Sequence, residues 1–179
     1  MSETLDQGKI VEAVRAATTE VFNTMLGMEI QAGQPYVETN APGPSDGVAS
    51  LVGLAGAWTG TGSIYCSAAF ACRLCSQFLM TEFRSVDEEV LDAVAELSNM
   101  IIGNFKNLIE PELGPLMLSI PTVVFGRNFT TRNLGKHEWT VVPFHCGADR
   151  LDVQICLIAA RENVQGLRSG FCRLHPIRV

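Results

Sequence analysis

The stretch SVDEEVLDAVAELSNMIIGNFKNLI, residues 85–109, decides the architecture. On a wheel of about 100° per residue, Val90, Val94, Leu97, Ile101, Phe105 and Leu108 fall on one stripe. Leu91, Ile102 and Ile109 widen it into a face broad enough to pack on a sheet. Ser85 and Glu88 have the spacing of a capping box, and Asp87, Glu88 and Glu89 suit the positive end of the helix dipole. Pro111, Gly114 and Pro115 close the segment. At about 1.5 Å per residue the spacing predicts a helix roughly 36 Å long. Its near-opposite stripe carries Asp92, Glu96, Asn99, Gly103 and Lys106.

Working outward, a second amphipathic helix is predicted from about Leu5 to Leu26, where Ile10, Val14, Ala17, Val21 and Met25 recur at steps of three and four. Gly27 stands at its C-cap. The run from Asn40 to Gly47 is rich in Pro and Gly and reads as a loop. Val48 to Gly56 and Ser63 to Ser67 read as strands joined by a turn, Trp58-Thr59-Gly60-Thr61-Gly62. Ala68 to Met80 reads as a buried helix. Leu116 to Phe125 reads as one strand, with Pro121 marking an edge or a bulge. Glu138 to Cys146 and Leu151 to Ala159 form a further strand pair around Gly147-Ala148-Asp149-Arg150. Helices and hairpins without regular βαβ alternation give an α+β fold, long amphipathic helices on antiparallel sheet, in a single domain over residues 1–179.

Composition bounds the function. The 179 residues hold 13 Lys and Arg against 19 Asp and Glu, a formal net charge of −6. An acidic chain is poorly suited to nucleic-acid phosphates or anionic membrane, which call for clustered cations. No apolar run approaches the roughly 20 residues of a membrane span, and the N-terminal residues lack a signal-peptide layout. A cytoplasmic protein is expected. Cys66, Cys72, Cys75, Cys146, Cys156 and Cys172 sit mostly among apolar neighbours and read as buried thiols. His137, His145 and His175 show no metal-ligand spacing, so no metal site is expected. Trp58 and Trp139 read as packing or interface residues.

Glu96 and Asn99, three apart on the long helix, are neighbours on one face. Gly103 shares that face, where glycine costs about 0.5–1 kcal/mol relative to alanine. A purely solvated face gains nothing from it; a face on which another protein's backbone lies closely does. Asp92, Gly103 and Lys106 are the candidate partner-binding residues around the pair. Glu20 and Asn23 repeat the spacing near the end of the first helix, a candidate second pair, although Gly27 is already explained as a helix cap.

The segment from Glu96 through Leu97, Ser98, Asn99, Met100, Ile101, Ile102 and Gly103 to Asn104 resembles the E-x-x-N-x-x-x-G-N signature of the CheC/CheX/FliY chemotaxis phosphatases. Ser119-Ile120-Pro121-Thr122-Val123-Val124-Phe125-Gly126 resembles the S-x-P-x-V-x-x-G strand that follows that helix. The helix ending Thr24-Met25-Leu26-Gly27 is similar to the family's first helix, so the likeness spans about Leu5 to Ala160. Chain length and one strong motif resemble the CheX branch more than the two-site CheC branch. The resemblance implies a CheC-like fold and a homodimer with exchanged strands. It implies as substrate the aspartyl phosphate of a CheY-like receiver domain. Glu96 would pair with that domain's lysine and Asn99 would orient the attacking water, while the receiver brings the Mg²⁺. This chain itself would bind no cofactor. Two other classes compete: a non-catalytic CheC-fold binding or scaffold module, and an unrelated ligand-binding α+β domain with a closed apolar pocket away from the long helix.

Overall fold

The computed structural model describes residues 6–39, 46–127, 129 and 137–160. Helix α1 (Gln7–Val21) is capped by Asp6, whose carboxylate accepts from the Gly8 amide. It runs into a π turn (Phe22–Leu26), and Gly27 ends it in the left-handed conformation expected of a C-cap glycine. Two short strands follow, β1 (Gln31–Ala32) and β2 (Tyr36–Glu38). Next come the hairpin β3 (Asp46–Gly56) and β4 (Trp58–Cys66), and helices α2 (Ala68–Leu79) and α3 (Glu88–Leu113). Strands β5 (Leu116–Leu118), β6 (Thr122–Arg127), β7 (Trp139–Cys146) and β8 (Asp149–Ala159) complete the described part. The Asn40–Gly47 loop lies outside the described residues except for Asp46 and Gly47, which open β3. Cys172 and His175 lie outside them as well.

Every strand pairing among the described residues is antiparallel. The sheet runs β1–β7–β8–β4–β3–β5, with β2 also on β7 and β6 also on β3. Alternation along the strands sends Val48, Val52, Ile64, Val142, Phe144, Val153 and Ile155 into one core with the apolar faces of the helices. Trp139, Val141 and Cys156 make a smaller buried cluster from the other set of positions. The fold is therefore α+β, helices on antiparallel sheet. Both tryptophans are buried packing residues. The five described cysteines are free and buried. Burial pushes the Cys66 thiol up to about 12 and those of Cys75 and Cys156 up to about 11, which leaves them protonated at neutral pH.

Four local expectations need correction. Trp58–Gly62 is not a turn but the first half of β4, and the chain reverses around Ala57, with Ala55 paired to Thr59. The glycines are there for close approach. A Cβ on Gly60 would collide with the Cys156 carbonyl of β8, and one on Gly62 would meet Ile102 Cδ1 of α3 at 2.7 Å. Helix α3 is capped by Asp87, which accepts from the Val90 amide at 3.0 Å, and not by Ser85.

Pro111 lies inside the last turn of α3, and Gly114 marks the end. The missing proline amide leaves only the exposed Asn107 carbonyl to water there. At 26 residues the helix is about 39 Å long. The strand expected at Leu116–Phe125 is two strands on β3, with a break at Ser119–Pro121. Leu118 pairs with Leu54 but Thr122 with Leu51, an advance of four residues against three, so one extra residue is accommodated. Pro121 thus sits both at an edge and at a bulge.

The cap assignment gives a simple expectation. Asp87→Ala should lower the urea unfolding free energy by about 1 kcal/mol, and Ser85→Ala should change it by less than about 0.5 kcal/mol. The reverse order in matched denaturation curves would return the cap to Ser85.

Candidate active site on helix α3

Helix α3 packs on β3, β4, β5 and β6 and lies alongside α1. Its buried side is Val90, Ala93, Val94, Leu97, Ser98, Ile101, Ile102, Phe105, Ile109 and Leu113. Leu108, placed in the apolar stripe by its spacing, is 49% exposed, because beyond Phe105 the core shifts toward Ile109 and Leu113. Ile102 sits against Gly62, where a side chain would stand in its way. Together with the rest of that buried face, this contact sets the rotation of α3 about its axis.

With the rotation fixed, the stripe of Asp92, Glu96, Asn99, Gly103 and Lys106 lies away from the core. Asp92 and Glu96 are exposed, and Asn99 and Gly103 are half-buried. Among the described residues, the Glu96 and Asn99 side chains make no hydrogen bond or ion pair. The pair is thus held on a helical backbone with its polar atoms unpartnered among the described residues. Lys106 is differently placed. Its ammonium meets the Glu110 carboxylate at 2.8 Å, and the same carboxylate accepts from the Leu116 amide at 2.8 Å. The Leu116 amide first, and Lys106 second, hold the Glu110 carboxyl below its ordinary range. Lys106 therefore takes part in fastening the end of α3 to β5.

The second pair, Glu20 and Asn23, differs from the first in its surroundings. Helices α1 and α3 run antiparallel, as Lys9 with Glu112 (2.7 Å) and Glu20 with Asn104 (3.3 Å) show. Glu20 accepts from the Asn104 amide group, whereas Asn23 lies in the π turn. In a regular helix, residues three apart differ by about 60° in direction. Val21 and Phe22, between Glu20 and Asn23, keep ordinary α-helical dihedrals, and both polar residues are exposed. Asn104 belongs to the quoted motif but received no role from the sequence. Its contact is across helices, which local spacing does not reveal.

Gly103 does not look only into solvent. A Cβ there would find Leu118 Cδ1 of β5 at 3.8 Å, an ordinary contact. The chain's own packing therefore does not demand a glycine at this position. Two clefts of about 360 and 330 Å³ border α1 rather than the pair; the first is lined by Arg15 and Tyr36, the second by Lys9 and Leu108. Among the described residues, no cluster of three or more His, Cys, Asp or Glu side chains is placed to hold a metal ion. No helix among them is long and apolar enough to cross a membrane.

The fold is a sheet-backed helix that presents an acid and a carboxamide on its outer face. The family can be stated as well: residues 48–145 match the chemotaxis phosphatase CheX family, and the chain belongs to it. It is 27% identical over 128 residues to the CheY-P phosphatase CheX of Thermotoga maritima, covering 71% of this chain and 82% of that protein. Among solved structures it resembles a CheC-like superfamily protein from Shewanella sp. PV-4, with a TM-score of 0.75 at 26% identity. That likeness covers 84% of this chain and 97% of the other. It also resembles a chain of the CheX–CheY–BeF3–Mg²⁺ complex from Borrelia burgdorferi, with a TM-score of 0.70 at 28% identity over 83% and 97% of the two chains.

The two glycines facing α3 and on it should respond oppositely to alanine. Gly62→Ala should destabilise by about 1–3 kcal/mol through overpacking against Ile102. Gly103→Ala should stabilise by about 0.5–1 kcal/mol by stiffening the helix. Urea unfolding of the two variants checks both, and a destabilised Gly103→Ala would show that the fold itself needs the glycine.

Proposed function

We propose that this chain hydrolyses the aspartyl phosphate of a CheY-like receiver domain, with Asn99 and Glu96 as its working side chains. The observation that carries the reading is the pair itself: acid and carboxamide adjacent on a rigid outward face, with no partner among the described residues. Membership of the CheX family and likeness to a CheX seen in complex with CheY support the choice of partner.

The chemistry asks little of this chain beyond placement. Phosphoryl transfer depends mainly on positioning and charge stabilisation. In this reading the receiver brings the phosphorylated aspartate and the Mg²⁺. The Asn99 carboxamide accepts a hydrogen bond from the attacking water through Oδ1 and donates through Nδ2. Water oxygen bonds to phosphorus as the bond from phosphorus to the aspartyl oxygen breaks. The aspartate leaves as a carboxylate, and both water protons go with the released phosphate. A carboxylate is a good leaving group, so no general acid is required of this chain. Glu96 docks on the receiver's lysine ammonium, and Asp92 adds to the acidic field around it. Gly103 leaves room for the receiver's backbone. Because Glu20 already accepts from Asn104 and Asn23 sits in the π turn, turnover is assigned to Glu96 and Asn99 alone.

The same reading includes a homodimer. Strand β6 pairs only one of its sides among the described residues, with β3, and Phe125 on it is half-exposed. Such an edge is a template for a second chain. Light scattering at micromolar concentration should give twice the mass of one chain, and a monomer would remove the dimer from the account.

Turnover is tested by phosphate release from a phosphorylated receiver domain with Mg²⁺. Asn99→Ala should lose about 10²-fold in rate, the usual effect of deleting one positioned polar group. An undiminished rate would take Asn99 out of the mechanism and leave α3 as a docking face.

A further inference from the structure

The bulge between β5 and β6 is built more firmly than a connection requires. The Ser119 amide donates to the Gly53 carbonyl at 2.9 Å. Its hydroxyl accepts from the Gly53 amide at 2.8 Å and donates to the Ile120 carbonyl at 2.8 Å. Pro121 follows and fixes its own φ. The extra residue has a packing consequence. Leu118 and Val123 are five apart and would face opposite sides of a regular strand, yet both pack against the core cluster. Between them the crown of the bulge holds out Ile120, 87% exposed.

An isoleucine this exposed contributes nothing to the core, and the hydrogen bonds beside it restrain its backbone. Its place matters more than its exposure. Leu118, two residues before it, supplies the atom nearest to a Cβ built on Gly103. At about 3.3 Å per residue, Ile120 lies within roughly 7 Å along the chain from that neighbour of the α3 stripe. The apolar crown is thus two residues along the chain from a side chain that borders the polar stripe at Gly103.

We propose that Ile120 is a docking residue for the receiver domain, an apolar contact beside the polar pair. This rests on the reading of α3 as the receiver's docking face. The occupant follows from continuity: a domain seated on Asp92, Glu96, Asn99 and Gly103 comes up to the bulge after Leu118, ahead of the β6 edge that the homodimer reading gives to a second copy. Rigidity favours such a contact, because a preset side chain loses little freedom on binding. The crown touches no reacting atom, so its contribution is to affinity and partner choice rather than to the chemical step.

The test compares Ile120→Ser and Ile120→Leu with the unaltered chain. Affinity is titrated with receiver domain activated by beryllofluoride and Mg²⁺, and KM and kcat are measured with phosphorylated receiver. Ile120→Ser should weaken affinity and raise KM about tenfold with kcat within about twofold, and Ile120→Leu should restore both. Circular dichroism and light scattering confirm that fold and assembly are kept. Unchanged affinity in Ile120→Ser overturns the inference. So does a change of oligomeric state without a change in affinity, which would assign the crown to self-association. Failure of the phosphatase reading looks different: no turnover by the unaltered chain, while the titration still reports on Ile120.

Discussion

The contact of Ile102 with Gly62 is the constraint on which the rest depends. A helix lying on a sheet can rotate about its own axis unless something keys it. Here the key is a missing side chain: with no Cβ at Gly62, Ile102 settles into the space directly over β4. Asn99 is three residues before Ile102 and Glu96 six, so their directions follow from this seat. The ends of α3 are held as well. Asp87 caps the first turn, and the Glu110 carboxylate, with Lys106, ties the last turns to the Leu116 amide. A polar pair on such a helix is preorganised before any partner arrives.

Much of this was legible in the chain itself. The 3.6-residue rhythm of α1 and α3 exposed both helices, and three-residue spacing placed Glu96 beside Asn99. What local pattern missed was set by distant neighbours. Gly60 and Gly62 read as a turn because glycine weakens a strand; their reason lies in β8 and in α3. Strands β1 and β2, two and three exposed residues long, have no alternation to read. Ser85 had the right spacing for a capping box, yet Asp87 stood closer to the first turn and took the amide. The bond from Asn104 to Glu20 and the approach of Leu118 to Gly103 connect residues far apart in sequence.

Charge gives a reason for the proposed pairing of an acid with a carboxamide. A phosphoryl group is repelled by carboxylates, and this chain carries a formal net charge of −6. A neutral carboxamide can stand beside the phosphoryl group without that penalty, and needs no shifted pKa to act. In the proposed mechanism the acid acts one turn away, on a cation. Asp92 and Glu96 make that end of the stripe acidic, which favours encounter with an ammonium and grows weaker as salt screens it. The proposal thus leaves metal and phosphoryl group with the partner, and geometry with α3.

The most direct measurement is a crystal structure of this chain bound to a beryllofluoride-activated receiver domain with Mg²⁺. The account predicts the Asn99 carboxamide within hydrogen-bond reach of the site for the attacking water, and the Glu96 carboxylate on the receiver's lysine. A receiver seated elsewhere on the fold, with α3 still facing solvent, would contradict it.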